Sequence, residues 1–336
     1  MTWRFSRSHV ESGTFCRYQE YLTYYWGGTG VVPTLLNMDM ELGTLVHDGL
    51  ARVLKSRTLD ALDDCVAGAL GAYRTKVPQI GFGAYSPQDQ MDLGEALIRG
   101  WCYARLPYYR ENYDIHVEEI ERERDIPLGD DIELMVRTDV RVTRKSDGDV
   151  FAGPEFKTTG YLNQDYLDQW QYAAQVAAEL TDEESGVLLE FLYKGKRQEG
   201  RILSPLIKGK LPTVSVREHL AGLKPEVILG QFSGKEVYRS PAQVRRWLNV
   251  QKTRQEIVMS VLRTRNDGVF SAPSQDEIDE VFPPRLDSQC KSDKYHKECM
   301  FLRHCWGATS IESGLEYGIW KRRVPHHPVE AENFIV

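Results

Sequence analysis

Two acids and a lysine lie close together in this chain, in an order that has a chemical meaning. Asp139 stands near the end of a segment of alternating apolar and charged residues. The turn Arg144-Lys145-Ser146-Asp147-Gly148-Asp149 follows, and Glu155-Phe156-Lys157 lies just beyond it. Glu155 and Lys157 are two apart, so on a strand both point to one face and Phe156 to the other. If the two segments pair through the turn, two carboxylates and an amine converge on one patch. Carboxylate oxygens at that density suit Mg2+ or Mn2+. An ammonium beside them can orient an attacking water and offset the charge that builds on a phosphate.

Several elements must hold these groups. In 131–142 the even positions Ile132, Leu134, Val136, Val140 and Val142 are apolar and Asp131, Glu133, Arg137, Asp139 and Arg141 are charged. That period of two predicts one strand with Asp139 on the face away from the apolar layer. Pro154 removes a ladder donor just before Glu155 and predicts an edge or a bulge there. Residues 164–180 read as a helix carrying Gln169 and Tyr172, and Val187–Tyr193 as a buried strand interrupted by Glu190. A β-β-α-β order of this kind fits an α/β core, a mixed central sheet flanked by helices.

Upstream, Leu42, Leu45, Val46, Gly49, Leu50, Val53 and Leu54 recur at helical spacing, with His47 at the margin of the stripe and Gly43 leaving space one turn before it. Alone at such a margin His47 reads as a packed core histidine; together with the motifs downstream it is read as a metal ligand through its neutral imidazole. Residues 58–112 read as further helices broken at Val77-Pro78 and Gly81-Phe82-Gly83. His116–Arg124 reads as a charged strand on which Glu119 is either an additional site acid or a solvated one. Ser240-Pro241 opens a long helix to about Arg265. The resulting division is a helical region 1–115 with Cys16 and His47, a core 116–205, and a helical region 206–336 whose cysteines close on the N-terminus.

Taken in sequence order, these elements resemble the PD-(D/E)xK nuclease superfamily, in particular its RecB-type and Cas4-like exonucleases. Gly43-Thr44-Leu45-Val46-His47 is similar to the helical G-x-x-h-H element, Arg137-Thr138-Asp139 to the G-x-x-D strand, Glu155-Phe156-Lys157-Thr158-Thr159 to the (D/E)-x-K-T strand, and Gln169-Trp170-Gln171-Tyr172-Ala173 to the Gln/Tyr helix. The resemblance implies a restriction-endonuclease-like core, a divalent metal held by His47, Asp139 and Glu155, Lys157 as the catalytic lysine, and Gln169 and Tyr172 contacting DNA or the metal site. The chain departs from the pattern at Arg137, where the family carries glycine, and in having Gln169 and Tyr172 three rather than four apart.

Of six cysteines, Cys65 and Cys102 fall inside apolar helical patterns and read as core residues. Cys16 lies in an aromatic amphipathic helix that breaks at Gly27-Gly28, and Cys290, Cys299 and Cys305 cluster near the C-terminus. Four thiolates suit a [4Fe-4S] cluster or a structural Zn2+. The one-plus-three arrangement is similar to the iron–sulfur staple of Cas4-like nucleases, which implies a cluster on Cys16, Cys290, Cys299 and Cys305. His296 and His304 stand near enough to compete as ligands, and Tyr295 and Trp306 are expected to shield the cluster.

The formal net charge of −7 over 336 residues argues against a protein that coats nucleic acid, yet basic residues are locally concentrated. Lys194, Lys196, Arg197 and Arg201 are expected to track a DNA backbone, and Arg245, Arg246, Lys252 and Arg254 form a second run; solvated faces are the plainer reading of both. No run of 18 apolar residues exists, so no membrane span is expected. The first eight residues lack the apolar core of a secretion signal, which predicts an intracellular, cytoplasmic protein of cellular or viral origin. The functional expectation is a metal-dependent DNA exonuclease acting on single-stranded or unwound ends. A catalytically inactive DNA-binding or assembly subunit of a recombination, CRISPR-adaptation or viral complex, and a redox sensor without nuclease activity, are the alternatives.

Overall fold

Alternation of side chains starts the first sheet: Trp3 and Phe5 are fully buried while Arg4 and Ser6 face outward. The computed structural model describes residues 2–34, 38–77, 86–180, 184–198, 201–208, 214–262, 265–266, 269–270, 273–287, 290 and 299–325. The protein is mixed α/β, and its residues form two compact units assembled from separate stretches. One comprises Met1–Leu35, Arg124–Val136 and Ala242–Val336, the other Leu36–Glu123 and Arg137–Pro241. The three regions expected from the sequence run along the chain, whereas these units interleave along it.

In the first unit, strand Trp3–Ser6 runs parallel to strand Ile132–Thr138, with Arg122–Pro127 on the other side of the latter. The helix Pro241–Leu262 buries Val244, Gln251, Gln255 and Val258, and Gln255 Oε1 accepts the Trp3 indole at 3.0 Å. Ile257, on the same helix, is 49% exposed.

The second unit holds a five-stranded sheet in the order Phe232–Tyr238, Gly186–Tyr193, Val150–Thr159, Arg141–Arg144, Tyr113–Ile115. Val150–Thr159 and Gly186–Tyr193 are parallel, which the helical crossover between them permits, and the other pairs are antiparallel. Helices Met38–Ser56 and Pro87–Ala104 cover this core, and Trp101 sets its indole edge-on against Phe156 at 5.1 Å.

Glu190 interrupts the apolar run of its strand because the interior supplies it with a full set of donors. Arg105 reaches it at 2.6 Å, Tyr109 OH at 2.9 Å and the Trp101 indole at 3.1 Å, while the carboxylate itself is fully buried. A buried charge without such partners would cost several kcal/mol.

Three sequence expectations are corrected. The single strand expected over 131–142 is two, Ile132–Thr138 and Arg141–Arg144, in different sheets, and Asp139 sits at the break between them. The strand expected over His116–Arg124 is a 3-10 turn at Val117–Glu119, then Glu121 with φ of 59°, then strand Arg122–Pro127. The helix expected over 164–180 is broken: Gln164–Gln169 passes through a 3-10 turn at Trp170–Tyr172, and Ala173 is extended before Ala174–Glu179. Tyr166 and Trp170 each pack on Phe191 at 6.0 Å, while the second piece buries Val176 and Ala178, so each piece is anchored by its own apolar contacts. Pro78 and Gly81-Phe82-Gly83 lie outside the described residues. Among the described residues no helix is long and apolar enough to cross a membrane.

Candidate functional site

Gly43 lets the helix Met38–Ser56 rest directly on the strand that carries Glu155. A Cβ there would stand 3.4 Å from Thr158 Oγ1, in contact with that strand. One turn later the same face presents His47. Its Nδ1 lies 3.2 Å from Asp139 Oδ2, and its Nε2 lies 2.7 Å from the Phe156 carbonyl. The Phe156 amide in turn donates to Asp139 Oδ2 at 3.1 Å, fastening the acid to the strand of Glu155 and Lys157.

These carboxylates are not on a wet face. Asp139 is 8% exposed and Glu155 2%, which corrects the outward orientation expected from the strand pattern. The break at Asp139 and Val140 turns the acid inward, and Gly153 N bonds to Val140 O at 2.7 Å across it. The bulge expected at Pro154 is present: Ala152 pairs with Val187 but Glu155 with Leu189, so the strand slips one residue and re-aims Glu155.

Glu121 completes the group. One donor atom each of His47, Glu121 and Asp139 lies within 4.8 Å of the others. The Glu121 amide is bonded to the Asp139 carbonyl at 3.1 Å, and its carboxylate meets Arg137 Nε at 3.0 Å. Sequence reasoning missed this acid because Glu118, Glu119 and Glu123 surround it and no spacing distinguishes it; Glu119, read as either a site acid or a solvated one, pairs with Arg122. The left-handed φ of Glu121, uncommon outside glycine, is visible only in three dimensions.

Burial opposes the charge on His47, but the Asp139 carboxylate outweighs it and raises the imidazole pKa. Burial likewise works against the Asp139 anion, and His47 holds it well below the usual carboxylate range. Burial raises Glu121, helped by the neighbouring Asp139 and opposed by Arg137.

Glu155 stands outside the tight donor group. Lys157 Nζ lies 2.5 Å from Glu155 Oε1, the Gln175 amide donates to the same oxygen, and the Trp170 ring lies 5.2 Å from the ammonium. The expected Gln169 and Tyr172 are both exposed, Tyr172 at 79%, and neither hydrogen-bonds to Glu155 or Lys157 among the described residues. The break at Ala173 changes the helical phase, so Gln175 is the amide that reaches the site.

Of the basic residues expected on DNA, Lys194 pairs with Asp39 at 2.9 Å, and Lys196 is exposed on the strand Lys196–Gln198. The side chains of Arg197 and Arg201 lie outside the described residues.

A second site belongs to the first unit. Cys16 is extended, at the junction of helices Arg7–Phe15 and Arg17–Glu20, rather than inside one helix. The Cys299 amide bonds to the Cys290 carbonyl at 2.8 Å. Burial, together with the neighbouring Cys299, Cys16 and Cys290, pushes the Cys305 thiol up to about 12, so these four sulfurs share one neighbourhood. None of the six cysteines is in a disulfide. Among the described residues no three of the sulfurs lie within 4.8 Å of one another. A tetrahedral zinc with Zn–S of about 2.3 Å would bring them to about 3.8 Å.

Both nitrogens of His304 are engaged, Nε2 with Tyr18 OH at 3.3 Å and Nδ1 with the Thr309 carbonyl at 3.1 Å, which weakens its expected claim as a ligand. Trp306, expected to shield the cysteines, is 67% exposed; Trp320 packs on Phe301 at 5.8 Å and His304 at 6.4 Å in the same segment. Tyr295 and His296 lie outside the described residues.

No family model matches the chain, and no curated protein matches it.

Proposed function

We propose that the second unit is the core of a divalent-metal-dependent deoxyribonuclease of PD-(D/E)xK type, acting on single-stranded or unwound DNA ends. The observation that carries the reading is the group of His47, Glu121 and Asp139 donors within 4.8 Å of one another, with Asp139 buried and the other two half-buried, set against Glu155 and Lys157. One imidazole and carboxylate oxygens are a donor set that fits Mg2+ or Mn2+. Such an ion supplies an acidified water and a Lewis acid for the phosphoryl oxygen. The chain's own groups do the rest. Asp139 and Glu121 would offer oxygens to such an ion, and Glu155 holds the Lys157 ammonium that would offset negative charge developing on a phosphate. Gln175 fixes the rotamer of Glu155. Gln169 and Tyr172 remain proposed DNA contacts, now from an exposed position.

The thiol neighbourhood of Cys16, Cys290, Cys299 and Cys305 is read as the seat of a structural [4Fe-4S] cluster. The one-plus-three order of these cysteines along the chain supports it, with a structural Zn2+ as the other occupant they suit.

A second reading, a catalytically weak DNA-binding or assembly subunit, draws on one contact. Arg137 occupies the glycine position of the family pattern, and its guanidinium neutralises Glu121. Manganese-dependent degradation of labelled DNA by the wild-type chain, lost in Asp139→Ala and Lys157→Ala, supports the first reading; DNA binding without degradation supports the second.

A further inference from the structure

The helix Pro241–Leu262 carries an exposed face that the proposed chemistry does not use. Along it runs an open groove of about 790 Å3, lined by Arg245, Arg246, Arg254, Val250 and Ile257 and, from the facing helix, by Arg17. All of these residues belong to the first unit.

Its charge is unbalanced. Arg17 and Arg254 share the single carboxylate of Glu20, Arg17 Nε at 3.8 Å and Arg254 Nη2 in direct hydrogen bond. Burial and the adjacent Arg254 both lower the pKa of Arg17, the signature of cations pressed together. Arg245 and Arg246 are exposed and form no ion pair among the described residues. Four guanidinium groups therefore face the groove against one acid, in a chain whose net charge is −7.

The shape narrows the choice of anion. From Arg245 to Arg254 the helix rises about 14 Å, at about 1.5 Å per residue, so the cations are spread along a line and one small anion would meet only one end. Val250 and Ile257, 57% and 49% exposed, lie about two helical turns apart on the same face. A duplex keeps its base faces stacked on one another and offers these two side chains only base edges. A single strand carries phosphates along one edge and unstacked bases along the other.

We propose that this groove binds the backbone of a single nucleic-acid strand, with Arg245 and Arg246 on phosphates and Val250 and Ile257 beneath the bases. The site goes beyond the nuclease reading and does not depend on it, because binding here needs neither metal nor cleavage.

The test is fluorescence anisotropy of a labelled thymidylate oligomer with the full chain in EDTA, over a series of salt concentrations. Arg245→Glu with Arg246→Glu should weaken binding at least about tenfold and reduce the log–log salt slope by about 1.4, two contacts at about 0.7 each. The thermal unfolding midpoint should not move, and Arg245→Lys with Arg246→Lys should keep the slope. An unchanged affinity and slope in the glutamate variant would overturn the proposal. So would polyglutamate or duplex DNA competing as well as the oligomer, which would mark the groove as an acidic-peptide or duplex surface. Because no metal is present, failure of the nuclease reading leaves this measurement intact.

Discussion

His47 Nδ1 lies 3.2 Å from Asp139 Oδ2, and the other ring nitrogen lies 2.7 Å from the Phe156 carbonyl. Both neighbours are acceptors, which suits a ring that donates from each nitrogen, and the Asp139 carboxylate raises the pKa of His47 toward that protonated form. A cation bound by these donors would displace that proton.

The pH dependence follows. The raised pKa of His47 gives stability that is complete below its unfolded value of about 6.5 and lost as pH rises through the folded value. The depressed pKa of Asp139 gives stability present above about 3.9 and lost as pH falls through the folded value. The metal-free protein should therefore lose most to His47→Gln between about pH 4 and 6.5. Melting curves of the two chains should converge above neutrality, while manganese affinity rises over the same interval with proton release.

Gln175 and Gln169 separate geometry from pattern. Gln175→Ala removes a donor from Glu155, the carboxylate that positions the Lys157 ammonium, and should lower manganese-dependent cleavage by up to about 100-fold through misplacement of that charge. Gln169→Ala, at an exposed position, should change it less than twofold. Equal losses would return the role to Gln169.

The core of the second unit has its own test. Arg105→Ala leaves the Glu190 carboxylate buried without its cation and should cost about 3–5 kcal/mol in chemical denaturation. Arg52→Ala, which breaks an exposed pair with Asp48, should cost less than about 1 kcal/mol.

Much of this was legible in the sequence, for identifiable reasons. Glu155, Phe156 and Lys157 alternate as a strand must, Pro154 announced the bulge, and the helical stripe from Leu42 placed His47 one turn past Gly43. What escaped depends on contacts distant in sequence. Period-two patterning ran smoothly through Asp139 and hid the change of sheet that buries it. Helical periodicity ran through Ala173 and hid the break that brings Gln175 rather than Gln169 to Glu155. Glu121 had no signal at all, since its backbone bond to Asp139, not its spacing, brings it in.

The thiol site makes a visible prediction. Chain purified without oxygen should be brown, with a broad shoulder in the blue, and Cys305→Ala should bleach it. A colourless protein carrying zinc would put that metal on Cys16, Cys290, Cys299 and Cys305 instead.

The most direct measurement is cleavage of end-labelled single-stranded DNA by the purified chain with Mn2+, compared with Asp139→Ala and Lys157→Ala. The predicted result is degradation by the wild type, a fall of about 10²- to 10³-fold in Lys157→Ala from loss of charge stabilisation, and none detectable in Asp139→Ala. Undiminished cleavage in both variants, or none by the wild type at any manganese concentration, would contradict the account.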